Sequence, residues 1–402
     1  MKSIFFRFCL LACIPLFSVA CAGSGIKLQG NEFLIEGEIA GVDDGIVINL
    51  GRMDENTGKR IASDTVRNGR FIFKEDAESN TDKLYILISD DGFPPMFLNI
   101  WAAPGARIKI KGNGKLFPLW EVQSSVPYQK EQNLYKDKCR DVIAEFARVS
   151  IERNDAVSKI MAASSREESI PYRNIVASLG VKSDSLMVIE YSEYVNIMEK
   201  TNVSPIWLEK MTNLAWLVRP SKEGSEYYSE LRKRTEALYS RMSEEDKNTL
   251  YGARITAELF PPAVVGVGDD FADTDFLDTN GNTKHLSDYL GKYLLLDFWS
   301  SGCGPCIMAL PEMKDIAESY SENLTIISIS LDSDARWKES IDTHDMPWVN
   351  IRDPKSYGGL AANYGVTGIP NYTIISPEGK ILDKWSGYGE GLLKRKMGEN
   401  IK

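Results

Sequence analysis

The sequence predicts a multidomain chain with an N-terminal antiparallel β-domain, a central α-helical region and a C-terminal α/β domain. In residues 30–125, short stretches of period-two alternation are separated by turn residues, a pattern typical of seven or eight strands in a sandwich-like domain. In residues 126–260, apolar residues recur at helical spacing and indicate four to six helices. In residues 261–402, strands alternate with helices and end in a hairpin, which predicts a mixed sheet with helices on both faces.

Composition and charge exclude several classes of function. A length of 402 residues, of which 43% are hydrophobic, is enough for two or three globular domains with separate cores. The net charge is −10 and the basic residues are scattered, so we expect no nucleic-acid partner. Only two histidines, His285 and His344, accompany a single Cys-x-x-Cys, which leaves too few ligands for a structural zinc site. We therefore expect neither a metal nor a cofactor.

Residues 1–20 are predicted to be a signal peptide. A basic start precedes the run FCLLACIPLFSVA, which is shorter than the ~20 apolar residues that span a membrane. The run ends in SVA followed by Cys21, which resembles a bacterial lipobox, although Ser18 stands where Leu is commonest. Cys21 would then be the lipidated N-terminus and the only membrane attachment. The alternative is an ordinary signal peptide cut near Ala20 or Ala22, with no role for Cys21.

Removal of this leader leaves three cysteines after Cys21, namely Cys139, Cys303 and Cys306. Three thiols cannot form a disulfide framework. In an exported protein, a lone pair separated by two residues is interpreted better as a reversible dithiol than as a structural staple. Cys139, in the helical region, is predicted to be an inert buried thiol.

The residues around the cysteine pair resemble thioredoxin. The pair ends the segment DFWSSGCGPC, between an apolar strand and a helix, with Pro311 eight residues after Cys303 and the tripeptide GIP at 368–370 before a later strand. The layout is similar to the TlpA/ResA and AhpC/TSA branches of that superfamily, with PEGKI following the proline strand. This resemblance covers the C-terminal domain only, and it implies a thioredoxin fold and thiol:disulfide oxidoreductase activity.

The N-terminal domain carries a looser resemblance. The segments IEGEIAG, DTVRNGRFIF and PGARIKIKG are similar to the β-domain often fused to thioredoxin-like lipoproteins of Bacteroidota. This resemblance implies architecture and origin rather than chemistry, and no active residue is assigned to the β-domain.

The chemistry of a dithiol explains why the pair begins a helix. At the first turn, unpaired backbone N–H groups and the macrodipole favour the thiolate, so Cys303 is predicted to attack a substrate disulfide. Cys306, one turn later, can reach the resulting mixed disulfide and release the substrate. Gly304 and Pro305 keep the turn compact, and the proline removes one backbone donor.

The resemblance implies roles for further residues. Asp297 matches the buried aspartate of thioredoxin, which would have a raised pKa and take the Cys306 proton; the alternative is a surface aspartate at a strand end. Pro370 matches the cis-proline that faces the dithiol, and the alternative is a trans turn proline. The expected substrate-binding residues are Trp299, Gly304, Pro305, Ile369 and Pro370.

Three departures from these families bear on activity. Gly302 stands where thioredoxin has Trp, so the lip of the site is smaller. Ala309 replaces a glutamate that many ResA-like proteins carry, which leaves proton transfer to Asp297. Peroxiredoxins place Pro and Thr seven and three residues before their reactive cysteine, where this chain has Leu296 and Ser300.

The predicted function is a periplasm-facing, lipid-anchored thiol:disulfide oxidoreductase. Its expected partners are disulfide-containing exported proteins and a membrane or periplasmic electron donor. The alternatives are a thiol peroxidase of the AhpC/TSA type and a non-enzymatic binding lipoprotein.

The predicted anchor can be tested directly. Because Cys21 follows small residues at the end of the apolar run, cells fed labelled fatty acid should incorporate it into the protein, and Cys21→Ala should abolish the label. Labelled wild type that partitions with membranes is the expected result. Unlabelled, soluble wild type would leave only the ordinary signal peptide.

Overall fold

The computed structural model describes residues 25–54, 57–220 and 226–401. The predicted signal peptide and Cys21 lie outside these residues. Within the described ranges, no helix is long and apolar enough to cross a membrane. The predicted fold class is confirmed, with β-sheets first, helices next and an α/β domain last.

The N-terminal domain consists of two four-stranded sheets. Its strands are β1 (Glu32–Ala40), β2 (Val47–Asp54), β3 (Thr57–Thr65), β4 (Arg70–Asp76), β5 (Asp82–Leu87), β6 (Leu98–Ala102), β7 (Arg107–Asn113) and β8 (Glu121–Gln123). The sheets have the orders β4-β1-β7-β8 and β3-β2-β5-β6, so β3 is an edge strand. All neighbours are antiparallel except β1 and β7, which are parallel.

The central region contains seven helices in the described residues, rather than four to six. They are α1 (Pro127–Lys138), α2 (Arg140–Ala162), α3 (Arg166–Met198), α4 (Pro205–Leu217), α5 (Glu226–Tyr239), α6 (Glu244–Asn248) and α7 (Leu250–Leu259). The prediction was too low because α1 and α2 are separated only at Cys139, and because α6 is a short helix capped by Ser243. The helices and the β-domain share one hydrophobic cluster, so the two parts pack as a unit.

The C-terminal domain is a seven-stranded mixed sheet with helices on both faces. Its elements are β9 (Phe276–Asp278), β10 (Thr283–Lys284), β11 (Tyr293–Trp299), α8 (Gly304–Ser319), β12 (Leu324–Ser330), α9 (Asp334–His344), β13 (Val349–Arg352), α10 (Leu360–Asn363), β14 (Asn371–Ile375), β15 (Ile381–Ser386) and α11 (Leu392–Asn400). The strand order is β10-β9-β13-β12-β11-β14-β15. Strands β11, β12 and β13 run parallel, and β14 and β15 form the predicted terminal hairpin.

Strand β11 supplies both faces of this domain's core. Leu294, Leu296 and Phe298 pack in a cluster with α10, whereas Leu295 and Trp299 pack in a second cluster with α8, α9 and α11. Because successive side chains of a strand alternate between faces, Asp297 shares the face of Leu295 and Trp299. The only acidic residue of β11 therefore points toward the side of the sheet that α8 covers.

The C-terminal domain contacts the helical region through a close approach of two backbones. A Cβ atom added to Gly358 would lie 2.4 Å from the carbonyl carbon of Ala253 and 2.4 Å from the nitrogen of Arg254, both in α7. The Arg254 guanidinium also lies 5.5 Å from the ring centroid of Tyr357. Only glycine permits this separation, so the contact fixes where the C-terminal domain sits on the helices.

Replacement of Gly358 tests this contact. Gly358→Ala should lower the free energy of unfolding by about 1–3 kcal/mol, because the added methyl group meets backbone rather than a flexible side chain. Thermal melting, with limited proteolysis between α7 and β9, measures the effect. Gly398→Ala is the control, since its Cβ meets nothing within 4 Å and an alanine in α11 should stabilise by up to about 1 kcal/mol. Equal melting of Gly358→Ala and wild type would contradict the interpretation.

Candidate active site

Cys303 and Cys306 form a disulfide at the start of α8. Their Cα atoms are 5.2 Å apart, a separation ordinary for a disulfide. Cys303 precedes the first residue of the helix and is half-buried, whereas the Cys306 side chain lies in the first turn and is 3% exposed. A substrate disulfide therefore reaches the sulfur of Cys303 before that of Cys306.

Backbone geometry favours negative charge on Cys303. The backbone N–H of Cys306 donates to the Cys303 Sγ at 3.2 Å. The sulfur also lies at the N-terminus of a 16-residue helix, where the macrodipole stabilises an anion. Gly304 and Pro305 occupy the first two helical positions and are exposed, and the proline nitrogen there forgoes no intrahelical bond.

Asp297 is buried on the face of the sheet that α8 covers. Its side chain is 2% exposed, so the alternative of a surface aspartate at a strand end is wrong. Its Oδ2 accepts a hydrogen bond from Ser328 Oγ at 2.8 Å, whereas its Oδ1 has no hydrogen-bond partner among the described residues. Burial raises the pKa of Asp297 to about 7, and the Ser328 hydrogen bond partly opposes that rise. This carboxyl can therefore gain or lose a proton near neutral pH.

Two residues that the sequence analysis missed extend this hydrogen bond. Ser328 lies opposite Asp297 in the register of β11 and β12 and is completely buried. The Nε1–H of Trp348, which precedes β13, donates to Ser328 Oγ at 2.8 Å. This series of hydrogen bonds, from Trp348 through Ser328 to Asp297, holds Oδ2 in place. The sequence signal was the segment ISIS, in which serines alternate with isoleucines along a buried strand.

The loop before Cys303 is held by a third residue that the sequence analysis missed. Asp332, just after β12, is buried, and its Oδ2 accepts the backbone N–H of Ser301 at 2.6 Å. The backbone carbonyl of Asp332 accepts from Arg352 Nε at 2.8 Å. These hydrogen bonds fix the loop before Cys303 to the end of β12 and to β13.

The predicted substrate-binding residues differ in their accessibility. The peptide bond between Ile369 and Pro370 is cis, as the resemblance implies. Ile369 is half-buried and Pro370 is buried, so only part of this dipeptide faces solvent. Trp299 is 1% exposed because its ring packs in the same core cluster as Cys306. The contact of Trp299 with substrate stays a prediction, which the burial of its side chain in this structure does not favour.

Cys139 is the remaining cysteine among the described residues, and its thiol is free. Cys139 is 1% exposed between α1 and α2, and burial raises the pKa of its thiol to about 12. In the described ranges, no group of three or more His, Cys, Asp or Glu side chains is arranged to hold a metal ion.

Comparison with known proteins finds similarity in the same region. Residues 267–384, which include the disulfide, Asp297 and Pro370, match the AhpC/TSA family. Thioredoxin-like protein YneN of Bacillus subtilis is 28% identical over 120 residues, 29% of this chain and 69% of that protein. The thiol-disulfide oxidoreductase ResA of Bacillus thuringiensis is 27% identical over 141 residues, 35% of this chain and 78% of that protein.

A solved structure also matches about a third of the chain. The thioredoxin domain of a thiol-disulfide oxidoreductase from Bacteroides vulgatus shares 27% identity and covers 34% of this chain and 99% of its own, with a TM-score of 0.32. The strand order, the cis-proline and the disulfide at a helix N-terminus are features of the chain itself. The C-terminal region of this protein therefore has a thioredoxin-like fold, and residues 267–384 within it match the AhpC/TSA family.

Proposed function

We propose that this protein is a thiol:disulfide oxidoreductase that reduces disulfides in exported proteins. The observation that carries the proposal is the Cys303–Cys306 disulfide at the start of α8, on the sheet face that also buries Asp297. The names of two relatives, thioredoxin-like protein YneN and thiol-disulfide oxidoreductase ResA, support the same activity. The predicted leader and lipobox support an envelope location with Cys21 as a lipid anchor.

The reaction begins from the reduced dithiol. The Cys303 thiolate attacks one sulfur of the substrate disulfide, the substrate S–S bond breaks, and the departing sulfur takes up a proton. Cys306 then attacks Cys303 Sγ, which breaks the mixed disulfide and releases the second substrate thiol. Two electrons pass to the substrate and leave the oxidised pair seen in the structure. A membrane or periplasmic dithiol donor must return two electrons for the next cycle.

Asp297 accepts the proton that Cys306 loses in the second step. Ser328 and Trp348 occupy and orient Oδ2, which leaves the unpartnered Oδ1 as the oxygen that can take the proton. A general base works best when its pKa is close to the working pH, and the pKa of Asp297 is about 7. Ser328 and Trp348 act as positioning residues, because their hydrogen bonds reach the dithiol only through Asp297.

The AhpC/TSA match also raises a thiol peroxidase as a second candidate. Leu296 and Ser300 stand where peroxiredoxins have Pro and Thr, and both are buried. One experiment decides among the three functions. Purified wild type should accelerate reduction of insulin disulfides by dithiothreitol, and Cys303→Ser should not. Peroxide consumption without insulin reduction would favour the peroxidase, and inactivity in both assays would favour a binding protein.

Trapping of partners tests the roles of the two cysteines. Cys306→Ser should accumulate mixed disulfides in cells, because the covalent complex loses its intramolecular exit, whereas Cys303→Ser should trap few partners. Non-reducing electrophoresis followed by mass spectrometry identifies the adducts. If Cys303→Ser trapped more partners than Cys306→Ser, the roles would be exchanged.

Replacement of Asp297 should separate stability from catalysis. The folded-state pKa of about 7 lies above the usual 3.8, so the folded protein holds a proton that the unfolded chain releases, and this difference costs stability as pH rises from about 4 to about 7. Each unit is worth about 1.4 kcal/mol, so the full cost is on the order of 4 kcal/mol. The stability of Asp297→Asn relative to wild type should thus increase from about pH 4 to about pH 7 and stay constant at higher pH, measured by denaturant unfolding of the oxidised protein.

The same variant should resolve the mixed disulfide more slowly at neutral pH, by at most about 10²–10⁴-fold, and the deficit should shrink at high pH. Asp353→Asn is the matched control. Asp353 is also a carboxyl whose pKa is raised by burial, but it holds the start of α10 rather than the cysteine helix. Its replacement should leave the single-turnover rate unchanged. An Asp297→Asn variant as fast as wild type at pH 7 would remove Asp297 from the mechanism.

The variant Ser328→Ala tests how Ser328 affects the pKa of Asp297. The Ser328 hydrogen bond lowers the pKa of Asp297, so its loss should move the pH profile of resolution to higher pH while the fully ionised enzyme keeps most of its rate. A uniform rate loss at every pH, without a shift of the profile, would mean that Ser328 serves only packing.

A further inference from the structure

A cleft of about 990 Å³ separates the β-domain from the C-terminal domain. One wall consists of β2, β3 and the segment from Glu75 to Lys83, and the other consists of Ser301 and α9. Ser301 is two residues before Cys303, so the cleft extends to the loop that carries the attacking sulfur. Its volume is at the upper end of the range for binding sites of small ligands, about 300–1,000 Å³.

The two walls of the cleft lie close enough for a charge on one wall to affect the pKa of a group in the other domain. Burial raises the pKa of Tyr85, on β5 of the β-domain, and the charge of Arg336 on α9 opposes that rise. Arg336 itself lines the cleft. Helix α9 of the C-terminal domain therefore faces the β3-β2-β5-β6 sheet.

The rim of the disulfide offers little with which to recognise a substrate. Gly302, Gly304 and Pro305 are exposed but carry no functional side chain, and Trp299 and Pro370 are buried. The exposed Met308 and the half-buried Ile369 offer only apolar contacts. A reductase that selects among exported proteins needs further contacts beside this rim. The cleft is the large concave surface that begins there.

Strand β3 gives the cleft a means of binding a polypeptide. It pairs with β2 on one side only, so backbone N–H and C=O groups remain along its free edge. Such an edge binds an extended peptide by adding it as a further strand.

The basic side chains on β3 give this edge a preference for acidic segments. Lys59 and Arg60 line the cleft, are exposed and make no ion pair with any described residue. Arg52, deeper in the same wall, is paired with Glu78 and with Asp82 at 3.1 Å. Exposed carboxylates of Asp76 and Glu339 line other parts of the cleft, so the exposed positive charge on β3 has no ion-pair partner among the described residues.

We propose that the free edge of β3 binds the polypeptide segment that flanks the substrate disulfide, as an extended strand whose acidic side chains meet Lys59 and Arg60. The β-domain is then the specificity-determining part of the enzyme. This inference rests on the proposed reductase function, since it names the class of segment that the reductase selects.

The test measures how well one charge-reversed variant reduces two disulfide substrates of different size. Lys59→Glu/Arg60→Glu should lower kcat/KM about tenfold for a disulfide peptide with flanking Asp and Glu residues, mainly through KM, because two exposed ion pairs are lost. The same variant should reduce 2-hydroxyethyl disulfide at the wild-type rate, because that substrate is too small to reach β3. Lys130→Glu/Lys138→Glu, on exposed lysines of α1 that do not line the cleft, matches the change in net charge and should have no effect.

A binding measurement keeps the inference separate from the activity. A fluorescent acidic peptide without cysteine should bind the oxidised wild type, and it should bind about tenfold more weakly to Lys59→Glu/Arg60→Glu. N-methylation of alternate backbone amides of the peptide should also weaken binding, which a purely charge-based contact would not show.

Each outcome decides one of the two claims. Unchanged peptide binding and unchanged kcat/KM in the charge-reversed variant would overturn the β3 site and leave the reductase intact. Equal losses for the peptide and for 2-hydroxyethyl disulfide would place the effect at the dithiol and also overturn it. Peptide binding at β3 by a wild type that reduces no disulfide would overturn the reductase function instead.

Discussion

The packing of α8 on the central strand β11 determines where the reactive groups lie. Apolar side chains of α8, such as Ala309, Met313 and Ile316, share one cluster with Leu295 and Trp299 of β11. Because this face is buried, the helix must begin close to the end of the strand, and its first turn places the sulfur of one cysteine at the surface and the other beneath it. The helix dipole, the order of the two thiols and the buried carboxyl all follow from this single interface.

The same interface contains an energetic conflict. A carboxyl in a strand that is otherwise apolar costs stability once it ionises, and one oxygen of Asp297 lacks a partner among the described residues. Local sequence rules are most often violated where function requires it. Ser328 reduces this cost by donating a hydrogen bond to the other oxygen, and Trp348 donates in turn to Ser328. These protein groups replace part of the water that the carboxyl loses on burial.

Periodicity and spacing were sufficient to predict the three-part fold and the cysteine helix, because each depends on residues that are neighbours in sequence. The burial of Asp297 was implied by the resemblance to thioredoxin. The hydrogen bond between Trp348 and Ser328 spans 20 residues, and the bond between Ser328 and Asp297 spans 31, so neither can be inferred from local pattern. Trp299 was expected to contact substrate, and the alternation of β11 places its side chain in the core. The cleft depends on how whole domains pack, through contacts such as that of Gly358 with α7, and sequence periodicity contains no such information.

The burial of Cys139 has a consequence for how the redox state of this protein can be counted. Its thiol is inaccessible and its pKa is far above neutral, so thiol reagents cannot modify it in the folded protein, and it cannot exchange with the active pair. Among the described cysteines, the folded oxidised protein therefore exposes no free thiol, and reduction frees Cys303, which is half-buried, and Cys306, which is 3% exposed. Alkylation of Cys303 under native conditions is thus an internal gauge of the dithiol, and Cys139, which reacts only after denaturation, standardises the measurement.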